Sequence, residues 1–225
     1  MVKTMCKKVL GIYGAGGLGR EVLELAKIIN DREKVWDSFI FIVDKATVDE
    51  VTGLKVLEYE EVKIKHGTAL DIVVGIGEPM VRKKKFEQLK KDGINTPTLI
   101  HPDVHIPETT TVGKGVVIQY GCFISCNVTI EDQVYLQPQC NIGHDDILSE
   151  GCMISGLGNI AGNVKIGRFT YVGISTAIKE GVTIGDNSIV GMGSVVYKDI
   201  PDGVTALGNP ARPAVRNTDG KVFRH

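Results

Sequence analysis

His144, Asp145 and Asp146 form the segment of the chain that is best suited to acid–base chemistry. An imidazole titrates near neutral pH, so it can accept a proton from an attacking nucleophile. A neighbouring carboxylate can select the tautomer of the ring and raise its basicity. The segment therefore predicts a general base at His144. A histidine that is merely exposed at the surface is the alternative.

A second suggestive segment is the glycine-rich run Gly14-Ala15-Gly16-Gly17-Leu18-Gly19. It follows a strand predicted for residues 8 to 13 with alternating burial, and it precedes a helix predicted from Arg20 to Asn30. The predicted buried stripe of that helix consists of Val22, Leu23, Leu25, Ala26, Ile28 and Ile29. A strand, a glycine turn and a helix together aim backbone N–H groups at a phosphate. A tight turn without a ligand is the alternative.

Two further predicted strands end in residues that suit a ligand site. Phe39 to Val43 ends in Asp44-Lys45, and Asp71 to Ile76 ends in Gly77. Ligands of open parallel sheets bind beyond the carboxyl ends of the strands. Residues 1 to 97 hold about four strands, one mononucleotide-binding half, whereas a dinucleotide fold needs about six. A mononucleotide or a nucleotide sugar is therefore the expected ligand.

A charged helix is predicted next, beginning at Pro79 and ending at Gly93. Its first turns contain Arg82-Lys83-Lys84-Lys85. Such a run usually forms a solvated helix face. Arg82 lies nearest to the Gly77 turn, so it is the residue of this run that could instead reach a diphosphate.

The elements that must position His144 belong to a six-residue repeat. From Ile100 every sixth residue is aliphatic: Ile106, Val112, Ile118, Ile124, Ile130, Leu136, Ile142, Leu148, Ile154, Ile160, Ile166, Val172, Ile178, Ile184, Val190 and Val196. Four residues after these, most side chains are small or β-branched, for example Val116, Cys122, Cys140, Cys152, Thr170 and Ser188. A period of six fits neither a helix nor a long strand, so the repeat predicts short strands joined by corners in a solenoid.

Composition limits the class of protein and of partner. The chain has 225 residues, 43% hydrophobic content and a formal net charge of −1, which suits two domains and gives no reason to expect nucleic acid. No stretch approaches the roughly 18–20 apolar residues that span a bilayer. We therefore expect a cytoplasmic protein that is not bound to a membrane.

The five cysteines predict neither a disulfide nor a metal site. Cys122, Cys140 and Cys152 lie in the small-residue phase of the repeat, which predicts core positions, while Cys6 and Cys126 have no partner spacing. A zinc site of Cys122, Cys126, His101 and His105 matches no metal-binding spacing, so no metal is expected.

Motifs along nearly the whole chain resemble the PglD/NeuD-type sugar acyltransferases. They are Gly14 to Gly19 with Arg20-Glu21, Val43-Asp44-Lys45, Gly75-Ile76-Gly77, Ile142-Gly143-His144-Asp145, Ala161 to Gly167 and Gly208-Asn209-Pro210-Ala211. The resemblance implies an α/β Rossmann-like nucleotide-sugar-binding domain over residues 1–97. It also implies a left-handed parallel β-helix acyltransferase domain with a C-terminal tail over residues 98–225.

The same resemblance implies the roles of individual residues. His144 is the base and Asp145 the acid that tunes it. The substrate contacts would be Gly14, Ala15, Gly16, Gly17, Leu18, Asp44, Lys45 and Gly77. Those of the co-substrate, acetyl-CoA, would be Met153, Gly162, Gly173, Ile174, Gly191 and Met192.

The leading functional hypothesis is N-acetylation of an amino group on a UDP-linked 4-amino sugar. O-acetylation of a sugar of the sialic-acid type and a non-catalytic nucleotide-binding scaffold are the alternatives. A homotrimer is expected, because one histidine corner on a prism needs a second wall to enclose the coenzyme.

Overall fold

The structure, a computed structural model, describes residues 8–218 and 221–222. It divides into two compact units. The first contains the residues up to Gly77 together with Lys84–Pro97, and the second contains Glu78–Lys83 and the residues from Thr98 onward. Each unit has a hydrophobic core of its own.

The first unit is built on a five-stranded sheet. Its strands are β1 (Val9–Tyr13), β2 (Ser38–Val43), β3 (Glu50–Val51), β4 (Leu54–Glu58) and β5 (Leu70–Val74). The helices are α1 (Gly17–Glu33), α2 (Tyr59–His66), a 3₁₀ turn (Gly67–Ala69) and α3 (Pro79–Lys91), which continues from one unit into the other. The sheet order is β3-β4-β2-β1-β5, and all neighbours are parallel except the hairpin of β3 and β4.

The central strand β1 corrects one expectation from the sequence. All five of its residues are buried, so the predicted alternation of buried and exposed positions is wrong. The reason is that β1 lies between two parallel neighbours, in a kind of sheet that is covered on both faces.

Helix α1 is longer than the predicted span from Arg20 to Asn30. It begins within the glycine run at Gly17 and ends at Glu33. Its predicted stripe is buried except for Ile28, which is 40% exposed. The predicted helix from Pro79 is confirmed as α3, and Gly93 follows it with a φ of +68°.

The second unit is a solenoid of two-residue strands. They are β6 (Leu99–Ile100), β7 (Thr111–Val112), β8 (Val117–Ile118), β9 (Phe123–Ile124), β10 (Thr129–Ile130), β11 (Tyr135–Leu136), β12 (Asn141–Ile142), β13 (Ile147–Leu148), β14 (Met153–Ile154), β15 (Asn159–Ile160), β16 (Lys165–Ile166), β17 (Tyr171–Val172), β18 (Ala177–Ile178), β19 (Thr183–Ile184), β20 (Ile189–Val190) and β21 (Val195–Val196). A hairpin of β22 (Val204–Gly208) and β23 (Ala211–Arg216) follows them.

These strands form the three faces of a parallel β-helix. The first face is β7-β10-β13-β16-β19, the second is β6-β8-β11-β14-β17-β20 extended by β22 and β23, and the third is β9-β12-β15-β18-β21. Ile124, Ile142 and Ile160 pair in register, so one coil contains three six-residue repeats. The solenoid predicted from the period of six is confirmed.

The predicted aliphatic positions form the core of this unit. Except for Ile106, which lies between strands, each occupies the second position of a strand. Ile100, Ile106 and Val112 at the first coil are partly buried, and the others are fully buried. Burial of one such side chain contributes about 1.5–3 kcal/mol of gross stabilisation. Cys122, Cys140 and Cys152 are buried free thiols in this core, as predicted.

Some expectations concern parts of the chain for which the structure gives no description. Cys6 and most of the polar end Asn217 to His225 lie outside the described residues. Within the described ranges, no helix is long and apolar enough to cross a membrane.

Candidate active site

His144 and Asp145 lie on the turn that connects the third face to the first face. We call this column of turns the histidine corner; its members are Cys126-Asn127, His144-Asp145, Gly162-Asn163 and Glu180-Gly181. The His144 side chain is 52% exposed, and its Nδ1 lies 2.8 Å from Oδ2 of Asp145. The other carboxylate oxygen of Asp145 accepts a hydrogen bond from the Asn127 amide at 3.1 Å.

This pairing sets the protonation state of both side chains. The hydrogen bond from Asp145 raises the pKa of His144, and the same bond lowers the pKa of Asp145. In the neutral ring, a proton on Nδ1 is donated to Asp145, and Nε2 is left with a free lone pair. The arrangement can therefore accept a proton at Nε2.

Gly162 lies one coil beyond His144 and touches its ring. A Cβ at Gly162 would lie 2.5 Å from both Cε1 and Nε2 of His144. Within the part of the chain that the structure describes, nothing accepts the N–H of Gly162. The residue that packs against the His144 ring thus has a free backbone N–H.

Asp146 lies in the core below the corner and is completely buried. Its Oδ2 accepts the Gly143 N–H at 2.9 Å and its Oδ1 accepts the Val164 N–H at 2.8 Å. Burial raises the pKa of Asp146 to about 7, although the two backbone N–H groups and His144 act in the opposite direction. Prediction from the sequence gave this residue no separate role.

The predicted coenzyme contacts are divided between two corners. Gly162 belongs to the histidine corner, whereas Gly173-Ile174 and Gly191-Met192 stack on the corner between the second and third faces. A Cβ at Gly173 would lie 2.6 Å from the Met192 nitrogen, so these two turns are in close contact. The side chains of Ile174 and Met192 are 45% and 74% exposed. The third face, with Asn141 and Asn159 exposed on it, lies between the two corners.

Met153 and Arg82 are both buried. Met153, one of the predicted coenzyme contacts, is 2% exposed. Arg82 is also 2% exposed and donates hydrogen bonds to the Gly151 carbonyl and to Sδ of Met153. The expectation that Arg82 lies on a solvated face or reaches a diphosphate is wrong, because its guanidinium is buried against the β-helix.

In the first unit the glycine run has two structural parts. Gly14, with a φ of +109°, Gly19 and Gly75 pack against one another, and a Cβ at Gly19 would lie 1.9 Å from the Gly14 carbonyl oxygen. A Cβ at Gly16 or Gly17 would meet nothing within 4 Å. Gly14, Gly19 and Gly75 therefore allow strand and helix to pack closely, whereas Gly16 and Gly17 border open space at the start of α1. Its first turn contains no acidic residue.

A cluster of polar side chains follows the carboxyl ends of β1 and β2. The Tyr13 hydroxyl donates to Oδ1 of Asp44 at 2.6 Å, and Lys85 forms an ion pair with the same oxygen. Nζ of Lys85 also lies 4.9 Å from the centre of the Tyr13 ring. Burial raises the pKa of Asp44, but the hydrogen bonds from Lys85 and Tyr13 outweigh it and the net shift is downward.

This cluster adds Tyr13 and Lys85 to the residues predicted at the ligand edge, and Lys85 is the member of the basic run that lies there. Lys45 is exposed, Leu18 and Gly77 are half-buried, and Ala15 is half-buried within the turn. Among residues 8–218 and 221–222, no group of three or more His, Cys, Asp or Glu side chains could hold a metal ion.

Comparison with known proteins identifies relatives of both units. The PglD N-terminal domain family matches residues 9–89, and the bacterial transferase hexapeptide family matches residues 163–198. The GDP-perosamine N-acetyltransferase of Escherichia coli O157:H7 is 29% identical over 213 residues, which are 92% of this chain and 96% of that protein.

Solved structures give the same result. The acetyltransferase domain of PglB from Neisseria gonorrhoeae FA1090, also solved with acetyl coenzyme A, is 29% identical with a TM-score of 0.85, covering 92% of this chain and 100% of that one. PerB from Caulobacter crescentus, in complex with CoA and GDP-perosamine, is 26% identical with a TM-score of 0.82, covering 91% and 96%.

Other relatives are longer than this chain. The acyl-[acyl-carrier-protein]–UDP-N-acetylglucosamine O-acyltransferases of Stutzerimonas stutzeri (strain A1501) and Burkholderia orbicola (strain MC0-3) are 29% and 33% identical, and the matched segments span 56% and 42% of their lengths. The solenoid is therefore a left-handed β-helix preceded by an N-terminal domain. The two family matches and these near-full-length relatives together support the PglD/NeuD-like family of sugar acetyltransferases as the family of this chain.

Proposed function

We propose that this protein transfers an acetyl group from acetyl-CoA to the amino group of a nucleotide-linked amino sugar, with His144 as the general base. The observation that carries the proposal is the 2.8 Å contact between His144 Nδ1 and Asp145, which leaves Nε2 free beside Gly162. Two full-length matches, to a GDP-perosamine N-acetyltransferase and to a domain solved with acetyl coenzyme A, support the reaction class.

The proposed mechanism uses three groups at the histidine corner. The sugar amine attacks the thioester carbonyl, and its proton passes to Nε2 of His144. Asp145 stabilises the imidazolium that forms. The free N–H of Gly162 is the donor that we assign to the developing oxyanion. The tetrahedral intermediate then expels the CoA thiolate, which is protonated by the imidazolium.

We assign recognition of the nucleotide to a Rossmann-like domain over residues 1–97, and the transferase to residues 98–225. The open space at Gly16 and Gly17, next to the start of α1 without acidic residues, supports a diphosphate there. Asp44 and Lys45 follow β2 at the position where the nucleoside is expected. UDP is the nucleotide that we propose, although the perosamine of the relatives is linked to GDP.

For the coenzyme, the proposed track runs from Gly162 across the third face to Gly173-Ile174 and Gly191-Met192. The exposed side chains of Ile174 and Met192 are available for apolar contact with the pantetheine arm.

Release of CoA in the presence of a panel of acceptors tests this function. We expect release with UDP-4-amino sugars, little with a free sialic acid, and none without an acceptor. Faster release with a GDP-linked amino sugar would change the nucleotide but keep the reaction. Faster release with the free sugar would favour O-acetylation, and no release with any acceptor would favour a scaffold.

The first prediction concerns assembly. Five large apolar side chains are at least 45% exposed along the third face and its corner with the second face: Tyr120, Phe123, Leu157, Ile174 and Met192. Large exposed apolar side chains that recur along one edge of the β-helix favour an interaction site there. We expect light scattering to give three times the chain mass of 24.4 kDa. A monomer under conditions of full activity would contradict this.

The second prediction concerns pH. Because the Asp145 hydrogen bond raises the pKa of His144, the wild-type base becomes protonated, and activity is lost, as pH falls through that raised value. Asp145→Asn should move this acidic limb to lower pH while reducing the maximal rate. Glu180→Gln is the control, because Glu180 acts on His144 through charge alone and its removal should shift the limb less. An unchanged limb in Asp145→Asn would contradict the assignment.

The third prediction compares two glycines of the histidine corner. A Cβ at Gly143 would lie 2.5 Å from the backbone of Ala161 and Gly162, whereas a Cβ at Gly162 would meet the movable ring of His144. Gly143→Ala should therefore lower the melting temperature, because the two coils must separate. Gly162→Ala should lower turnover by displacing the ring and leave the melting temperature near that of the wild type. Equal losses of stability in both variants would show that the ring cannot move.

A further inference from the structure

Asp146 occupies a position at which the repeat otherwise carries no charge. From Val104 to Ile200, the residues four positions after each inward aliphatic are Val, Thr, Cys, Gly, Ser or Ile, apart from Asp146. Its immediate neighbours in the same column, one coil before and one coil after, are Val128 and Val164, both buried. The carboxylate is therefore placed inside an apolar column.

The Asp146 carboxylate interrupts the backbone hydrogen bonds between coils. From His101 to Lys179, the residue after each inward aliphatic donates its N–H to the carbonyl of the corresponding aliphatic one coil later, as Ser125 does to Ile142 and Ala161 does to Ile178. Pro107 has no N–H to donate. In the described chain, Gly143 is the other exception, because its N–H goes to Oδ2 of Asp146. Gly143 is the residue immediately before His144.

Threonines at equivalent positions show what the fold alone requires. The hydroxyls of Thr98, Thr110 and Thr170 each accept the N–H found 18 residues later, at Val116, Val128 and Ser188. They also donate to a carbonyl 15 residues later, at Gly113, Ser125 and Gly185. A threonine at position 146 would therefore satisfy the Val164 N–H without a charge.

The energetic comparison favours such a neutral residue if stability were the only requirement. Burial of a carboxylate costs several kcal/mol unless its oxygens are well paired, and neutral replacements of buried charges are often neutral or stabilising. The one bond that a threonine could not supply is the bond to Gly143. Local departures from the pattern of a fold occur mostly at functional sites.

We propose that Asp146 is a positioning residue for His144: its carboxylate joins the Gly143 and Val164 N–H groups of successive coils and so holds the imidazole over Gly162. This inference rests on the proposed role of His144 as the base. Asp146 reaches no substrate, because it is completely buried. It acts by holding the peptide that precedes His144.

Charged groups on the turn of His144 and on a later coil contribute to this environment. Asp145 faces His144 on its own turn and Glu180 faces it from a later coil, and both, like Asp146, raise the pKa of the imidazole. The ionised form of Asp146 stabilises the imidazolium, so replacement of Asp146 should lower the pKa of His144 while Asp145 and Glu180 remain in place.

Asp146→Thr tests the proposal, because threonine already serves the fold at three equivalent positions. We expect an unfolding free energy equal to or above that of the wild type. We expect kcat to fall at least about tenfold with KM values nearly unchanged, since misplacing a catalytic group by about 1 Å costs up to about 10²-fold. NMR should show a lower His144 pKa and a smaller ring-current shift at the Gly162 Hα. Wild-type kcat in a stable Asp146→Thr protein would overturn the proposal.

Two further measurements keep the inference separate from the proposed function. If Asp146→Thr does not fold, Asp146→Ser offers the same hydroxyl without the extra methyl group and is judged by the same criteria. The NMR readouts need no acceptor, so an unchanged His144 pKa and Gly162 shift would overturn the positioning role even if the substrate is wrong. If His144→Ala is inactive while Asp146→Thr is fully active, the base assignment stands and the positioning role fails.

Discussion

Turnover of acetyl-CoA by His144→Ala should be about 10²–10⁴-fold below that of the wild type, because this is the usual contribution of a general base. The imidazole is 52% exposed and lies outside the stacked core, so its loss should leave the melting temperature nearly unchanged. The measurement is CoA release under saturating substrates together with a thermal melt. Both ligands should still bind, since no backbone of the proposed track is altered.

His105→Ala is the matched control for this experiment. His105 is an exposed histidine near the start of the same repeat and should keep full activity. The Caulobacter enzyme was solved with CoA and GDP-perosamine in variants that have one histidine replaced by asparagine or alanine, so that protein retains both ligands without it. Near-wild-type turnover in His144→Ala would remove the base from the proposed mechanism.

The largest loss of stability is expected from Ile166→Ala. Ile166 is completely buried in β16, with strands of the preceding and following coils on both sides. Truncation of such a side chain removes its burial and leaves a cavity between stacked coils, which costs about 2–5 kcal/mol. Urea unfolding at one fixed protein concentration measures the change, because an oligomer's apparent stability depends on concentration.

Lys165→Ala provides the comparison on the same strand. Lys165 precedes Ile166 and is exposed, so its truncation should change the unfolding free energy by less than about 0.5 kcal/mol. Similar losses in the two variants would mean that the inward phase of the repeat does not carry the stability of the coil.

The solenoid could be predicted from the sequence because its core has one rule that every coil repeats. Ile142, Ile154 and Ile166 each point inward at the second position of a strand, and no long-range information is needed to place them. The hairpins β3–β4 and β22–β23 were not predicted. Their strands are short or follow no period, so their pairing depends on partners elsewhere in the sheet.

The residue types of the candidate site are visible in the sequence, whereas its supporting contacts are not. His144 stands out by residue type, but the burial of Arg82 against Gly151 depends on two segments far apart in the chain. From the sequence, Tyr13 is indistinguishable from an ordinary core aromatic; only the structure shows that its hydroxyl donates a hydrogen bond to Asp44. Asp146 carried a signal that needed no structure, since it breaks the uncharged phase of the repeat.

The register of the coils also fixes the distances between residues on different coils of the second unit. Removal of one six-residue repeat between His144 and Gly162 would move every later side chain to a different face. Gly162 would then no longer stack on His144. Removal of a whole coil would keep each later residue on its face and shift it along the axis by one strand spacing, about 4.8 Å. Insertion or removal of whole coils therefore changes the distance between His144 and the Gly191-Met192 corner in steps of that size. On the proposed coenzyme track, the span available to the pantetheine arm would change in the same steps.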